Sequence, residues 1–405
     1  MDSFDRTLEP LRGFQIEEIS LRNFTGDLEP LKGMPIKKMK LSGNLNLEPL
    51  NGMLIENLSL NFYEGSLEPF RGMGLKKIRI GSDDDLEPLK NEPVEEIIMN
   101  NFTGFKGDLE PLKGLLIRIL HMNQFNGSVE PLRGAPIEEI SMNLFDDDLS
   151  GLSESPIKKI IMNEFNGDLS GLSDVSVEII EMNSYNQDDI PLKSRTLQRI
   201  TMNRHEGKIT SLRGHPVQVI EMHRFNDDLS PLGCMVQEIR MNQFNGSLDP
   251  LSKMQYLSIL QMDRFDGSLE PLKNLLELRN LSMNNFNGSL EPLRESKIEI
   301  LHMNNYSGDS IEPLKDLPLT EIMMDMFDGD LQPLLLLKRK LYPVSFSNYK
   351  GDKSIYQQLI PVYIDTSPMQ NQYCQRIYPD VNSDADVYSE YDSSYDPYYS
   401  DYEYD

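Results

Sequence analysis

The chain has 405 residues and a formal net charge of −26, from 39 basic and 65 acidic side chains. Such a field repels polyanions, so nucleic acid and anionic membrane surfaces are excluded as expected partners. The two cysteines, Cys234 and Cys374, make neither a disulfide framework nor a metal site, and no cofactor is expected. In chain order, Met1-Asp2-Ser3-Phe4-Asp5-Arg6 lacks the basic and then apolar segments of a secretory signal. The run Leu334-Leu335-Leu336-Leu337 is too short to span a bilayer. An intracellular, cytoplasmic protein is the expectation.

From Leu8 onward one phrase recurs. Its openings fall at Leu8, Leu28, Leu47, Leu67, Leu86, Leu109, Val129, Leu149, Leu169, Ile190, Ile209, Leu229, Leu248, Leu269, Leu290, Ile311 and Leu331. The spacing is 19 to 21 residues, with one of 23 between Leu86 and Leu109. A unit this small cannot bury its own apolar face, so a fixed period near 20 predicts a stacked solenoid with one continuous core. About sixteen such units fill residues 1–340.

Each unit reads as a strand, a turn and a short return. In Ile137-Glu138-Glu139-Ile140-Ser141-Met142-Asn143, Ile140 and Met142 alternate with polar neighbours, which predicts a strand with one apolar face. An aromatic and a turn follow, as in Phe125-Asn126-Gly127, Phe165-Asn166-Gly167 and Phe286-Asn287-Gly288. Glycine is expected there to supply positive φ. The Leu-x-Pro-Leu that comes next suits an irregular or single-turn 3₁₀ segment and forbids a continuing strand ladder.

One parallel strand per 20-residue unit resembles the leucine-rich repeat family. The matching phrases are Ile137-x-x-Ile140-x-Met142 and Leu278-x-x-Leu281-x-Met283. The Leu-x-Pro-Leu-x-Gly opening resembles the short bacterial, internalin-like version of that repeat. The resemblance covers roughly residues 8–340 and implies a curved α/β-type solenoid, mostly β with irregular returns and little helix. It also implies that the outward strand positions line a concave face. One position departs from the family. Where its members carry a buried Asn, this chain has Phe102, Phe125, Phe145, Phe165, Tyr185, Phe225, Phe244, Phe265, Phe286, Tyr306 and Phe327. These rings are expected to form a buried spine, broken at His205.

Two features mark the outward face. In the first half, charge alternates from unit to unit: Glu17/Glu18, Lys37/Lys38, Glu56, Lys76/Lys77, Glu95/Glu96, Arg118, Glu138/Glu139, Lys158/Lys159. Cross-strand pairing in this register is expected to hold the units in step. Past residue 178, Ile179, Val219, Ile259 and Ile300 occupy one outward site, making that half more apolar. One further position is Asn61, Asn100, Asn123, Asn143, Asn163, Asn183, Asn203, Asn242, Asn284 or Asn304, with His223, Asp263 and Asp325 substituting. Two readings stand for this column: a hydrogen-bonding strip for an extended partner, and a ladder that satisfies itself. The candidate partner-binding residues are Asn203, His223, Asn242, Ile259, Asp263, Asn284, Ile300, Asn304 and Asp325.

Residues 341–379 read as a terminal segment that caps the array, with Ile355–Ile364 as the closing element. Residues 380–405 contain seven tyrosines and nine acids with no Lys or Arg, which predicts a disordered acidic tail. Acidic turns such as Asp83-Asp84-Asp85 and Asp146-Asp147-Asp148 read as solvated turns. Some bacterial effectors join leucine-rich repeats to a cysteine ubiquitin-ligase domain, but about 65 residues around Cys374 are too few for one. No nucleophile motif, phosphate loop or acid pair stands out. The expected function is a non-catalytic scaffold, acting as a monomer, that binds a protein partner on the outward strand face. A cell-surface or host-contact adhesin or effector is the alternative.

Overall fold

The computed structural model describes residues 7–359 except 44, 62, 64, 82–84, 100–106, 126, 166, 186–189, 194, 309 and 350. They lie in one compact unit, residues 1–361. The expected tail at 380–405, Cys374, Asn100 and Phe102 fall outside the described residues.

The alternation of apolar and polar residues yields one strand per unit. The first nine are β1 (Glu18–Leu21), β2 (Lys38–Ser42), β3 (Asn57–Asn61), β4 (Lys77–Ile80), β5 (Glu96–Met99), β6 (Ile119–Met122), β7 (Glu139–Ser141), β8 (Lys159–Ile161) and β9 (Ile179–Glu181). There follow β10 (Arg199–Thr201), β11 (Val219–Glu221), β12 (Glu238–Arg240), β13 (Ile259–Gln261), β14 (Asn280–Ser282), β15 (Ile300–His302), β16 (Glu321–Met323) and β17 (Val344–Ser345). Every strand pairs in parallel with the next, giving one open sheet of 17 strands in chain order. The result is a curved solenoid with little helix. One α-helix, α1 (Lys353–Leu359), follows the last strand.

Most Leu-x-Pro-Leu phrases form a short 3₁₀ segment, as at Glu29–Leu31, where the Leu31 N–H donates to Leu28 O at 2.9 Å. Proline fits because the first N–H groups of such a turn have no internal acceptor. The side chain two residues before the turn's Glu accepts that Glu's N–H, from Asp27 to Glu29 at 2.9 Å and from Asp108 to Glu110 at 2.9 Å. Asp85 and Asp148, in the two acidic turns noted above, do the same for Glu87 and Ser150. Behind the strands, the inward leucines, isoleucines and methionines form one continuous core from Leu8 to Ile355. Each fully buried side chain of this kind contributes about 1.5–3 kcal/mol.

The aromatic column is buried, and His205 belongs to it. Phe125, Phe145, Phe165, Tyr185, His205 and Phe225 stack face to face at centroid separations of 5.8–6.3 Å. Phe265, Phe286, Tyr306 and Phe327 continue the pattern at 6.0–6.5 Å. The expectation that His205 interrupts the spine is therefore corrected. An imidazole is flat like its neighbours, and its nitrogens lie 2.8 Å from Tyr185 O and 3.3 Å from Lys208 O, so burial leaves neither stranded.

A second correction concerns the glycine after each ring. The left-handed residue is the one before the ring, such as Gln124 at φ 57°, Glu164 at 56° and Asn285 at 62°. Gly127, Gly167 and Gly288 do not have positive φ. Where glycine stands there, the ring tip leans into the place of its missing side chain, while Asp147 and Asp227 fill the same position after Phe145 and Phe225. A Cβ on Gly167 would lie 2.8 Å from Phe165 Cζ.

At the C-terminal end of the array the rings change partners. Phe346, Tyr349 and the helix residue Tyr356 meet at 5.8–6.3 Å, mostly edge to face. Ile355 of α1 is buried with them.

Candidate binding face

Because all strands run parallel in register, outward residues fall into columns about 4.8 Å apart from unit to unit. In the first half these columns carry the alternating charges, and the pairs close across strands. Lys76 meets Glu56 at 2.9 Å, Lys77 meets Glu96 at 2.7 Å, Arg118 meets Glu138 at 2.8 Å and Lys159 meets Glu139 at 3.1 Å. His121 joins Glu139 at 3.3 Å. Hydrogen bonding to His121, followed by Lys159, holds the Glu139 carboxyl down at about 2, against the resistance of its partial burial. Between these pairs lies an open groove of about 320 Å³ lined by Lys77, Glu96, Arg118, Ile119 and Lys159. Exposed pairs of this kind contribute little stability singly, but a one-unit slip would set like charges against each other.

The asparagine column is a ladder. From Asn143 onward the side-chain oxygen accepts the backbone N–H of the next member: Asn143 from Asn163 at 2.9 Å, Asn163 from Asn183 at 3.1 Å, Asn183 from Asn203 at 3.1 Å and Asn203 from His223 at 2.9 Å. His223 keeps the series intact by accepting the Asn242 N–H on Nδ1 at 3.0 Å. Asn242, Asp263, Asn284 and Asn304 continue it to Asp325, which accepts from Ser347 N–H at 2.7 Å. Side chains with an acceptor at the right reach (Asn, Asp, His) can all fill this position, which is why the substitutions are of those types. Asn183→Ala removes the acceptor for Asn203 N–H and a donor to Asn163 Oδ1 at 2.7 Å. It is expected to lower stability by about 1–3 kcal/mol in urea unfolding, while Asn183→Asp, which keeps the acceptor, loses clearly less.

Seven of the nine sequence-derived candidates are thus neighbours on this ladder: Asn203, His223, Asn242, Asp263, Asn284, Asn304 and Asp325. The other two, Ile259 and Ile300, stand half-buried on the strand face beside it. The apolar sites do not adjoin. Ile259 lies between Glu238 and Asn280, and Ile300 between Asn280 and Glu321, so every second strand is apolar and its neighbours are polar.

The second half holds two features that the sequence reading missed. Met235, Tyr256 and Leu276 are 43%, 56% and 54% exposed in the turns leading into β12, β13 and β14. At the other edge, the residue after the ladder is Arg204, Arg224 and Arg264 in β10, β11 and β13 units, all exposed. The signal was present as a column one place beyond the asparagines, but without the ladder nothing marked that column as aligned.

No protein-family model matches the sequence, and no curated protein sequence does. Solved structures do match. An internalin from Listeria monocytogenes aligns with a TM-score of 0.50 at 17% identity, over 82% of this chain and 87% of its own. Internalin C2 of the same organism aligns at 0.29 and 16% identity, over 56% and 80%. The leucine-rich-repeat ectodomain of a membrane receptor kinase from Arabidopsis thaliana aligns at 0.43 and 15% identity, over 85% of this chain and 51% of that one. No helix among the described residues is long and apolar enough to cross a membrane.

Proposed function

The chain is a leucine-rich-repeat solenoid, and we propose that it is a non-catalytic scaffold binding a protein partner on its outward strand face. The observation that carries this reading is the unbroken register of the sheet. Sixteen successive pairings at about 4.8 Å give a face on the order of 75 Å long, and with strands of three to five residues its area is on the order of 1,000 Å². One side of a stable protein complex needs about 800 Å². The side chains on that face project from a backbone held by the ladder and the strand pairing, so little ordering entropy is lost on binding. Within this proposal residues 1–340 are the binding array and 341–379 its terminal segment, and the protein acts as a monomer in the cytoplasm.

The test uses a partner captured on the full chain and then purified. Ile259→Lys combined with Ile300→Lys is expected to weaken its binding at least about tenfold while the unfolding midpoint stays within error. Glu270→Lys, on the opposite 3₁₀ side, serves as the control. A larger loss from the control than from the face variant would show that the partner sits elsewhere.

A further inference from the structure

We infer that the face over β10–β14 takes an extended, amphipathic peptide segment of the partner, apolar at one end and acidic at the other. This rests on the strand face being the binding face. The acidic end is read by Arg204, Arg224 and Arg264.

These three residues hold the left-handed position after the ladder, at φ 60°, 63° and 59°. Their backbone N–H groups donate to the ladder carbonyls of His223, Asn242 and Asn284, each at 2.8 Å. The ladder therefore fixes their Cα atoms in a line along the sheet edge, with Gln243 filling the unit between. The backbone does not ask for arginine there, since Leu144, Ser184 and Met326 adopt the same conformation. All three are exposed and share one column at this edge of the sheet. Among the described residues, none lies within ion-pair distance of a carboxylate. Elsewhere Arg12, Arg71, Arg133 and Arg294 are each tied to a glutamate three residues away at 2.6–2.8 Å.

Several nearby acids are otherwise engaged. Asp263 accepts both the Asn284 N–H at 3.1 Å and its side-chain amide at 2.9 Å. Glu221 is held by His223, Asp227 accepts the Asp228 N–H at 2.7 Å, and Asp228 accepts the Ser230 N–H at 2.8 Å. Three unpaired guanidiniums in a chain of net charge −26 form a local cationic rail. At physiological salt the repulsion from the rest of the chain is screened beyond about 8 Å, so contact with the rail decides.

At the other edge of the sheet, before β12, β13 and β14, stand Met235, Tyr256 and Leu276, so that β13 carries both ends, Tyr256 and Arg264. From Tyr256 to Arg264 the chain advances eight residues, roughly 25 Å if extended. A peptide of about eight residues lying along the strands reaches from the apolar edge to the cationic one. An acidic peptide is favoured over a nucleic acid because this apolar edge has no use for a phosphate backbone.

The probe is a fluorescein-labelled synthetic 12-residue peptide, Leu and Tyr at one end and Glu and Asp at the other, titrated with the full chain by anisotropy. An analogue with Gln and Asn for the acids and a 12-nucleotide single-stranded DNA serve as comparators. The acidic peptide is expected to bind about tenfold tighter than the analogue at 50 mM salt and to weaken at 300 mM. Arg204→Glu, Arg224→Glu and Arg264→Glu together should abolish that preference, and the corresponding Gln variants should reduce it with the unfolding midpoint preserved. No preference in the wild-type chain, no change in the variants, or DNA binding as tight as the peptide's overturns the inference. With the captured partner, weakening by the Ile259 and Ile300 changes but not by the arginine changes overturns the rail alone. Weakening by neither overturns the binding face as well.

Discussion

Phe165→Ala is expected to lower the stability of the array by about 3–5 kcal/mol, the range for removing a buried aromatic ring. The ring is 0% exposed and stacks on Phe145 and Tyr185, each at 6.3 Å. Two consequences add. The lost ring gives up its transfer free energy, and the flanking rings cannot close the gap because each is tied to its own unit by strand pairing. Every repeat touches only its neighbours, so the damage spreads along the stack as a broken interface rather than as a uniform loss. Urea unfolding followed by circular dichroism measures the size of the effect. Hydrogen exchange shows whether the units flanking residue 165 open first, which matters because long arrays need not unfold as one. Leu144→Ala, at an adjacent site 44% exposed, should change stability by less than about 0.5 kcal/mol. A Phe165→Ala loss below about 1 kcal/mol would mean that the rings are not the core of the turn.

Gly151→Pro is expected to destabilise the chain by about 1–3 kcal/mol, although it restores the Leu-x-Pro-Leu phrase of the other units. Sequence logic alone points the other way. Proline restricts the unfolded chain and is worth up to about 1 kcal/mol where the native backbone accepts it. In this unit, however, the preceding turn has moved into the space. A Cβ on Gly151 would lie 2.7 Å from Val129 C and 2.8 Å from Glu130 Cα. Both are backbone atoms of a 3₁₀ turn and cannot rotate aside as a side chain would. Gly171 is placed the same way, 2.7 Å from Leu149 C and Ser150 N, so Gly171→Ala should show the same sign. Thermal and urea unfolding of both variants check this. An unchanged or raised midpoint would mean that the turns separate at no cost.

Most of what positions the face was legible before any coordinates. The spacing of the openings fixes one strand per unit, and alternation within Ile137–Met142 fixes which side is buried. Those are local facts, repeated often enough that no single exception matters. The alternating charges likewise announced their own partners, because a parallel stack places residue i beside residue i+20.

Other roles depended on atoms contributed by neighbouring units. The asparagine column left two readings open, since an amide can serve a ligand or a backbone equally well. The distance from Asn163 Oδ1 to Asn183 N–H, 3.1 Å, puts it in the ladder. His205 looked like a defect because the eye compares residue types, whereas packing compares shapes, and a flat ring between flat rings stacks. The glycines at 127, 167 and 288 looked like turn formers, but the left-handed residue lies three places earlier, and a ring tip leans into the place of the missing side chain. Arg204, Arg224 and Arg264 carried no motif at all. Sequence by itself determined the repeat, the buried side and the charge register, because each follows from periodicity within a single chain. Only the tertiary structure decided which polar side chains are consumed in holding the stack and which are left exposed, because that depends on distances between units that no one unit contains.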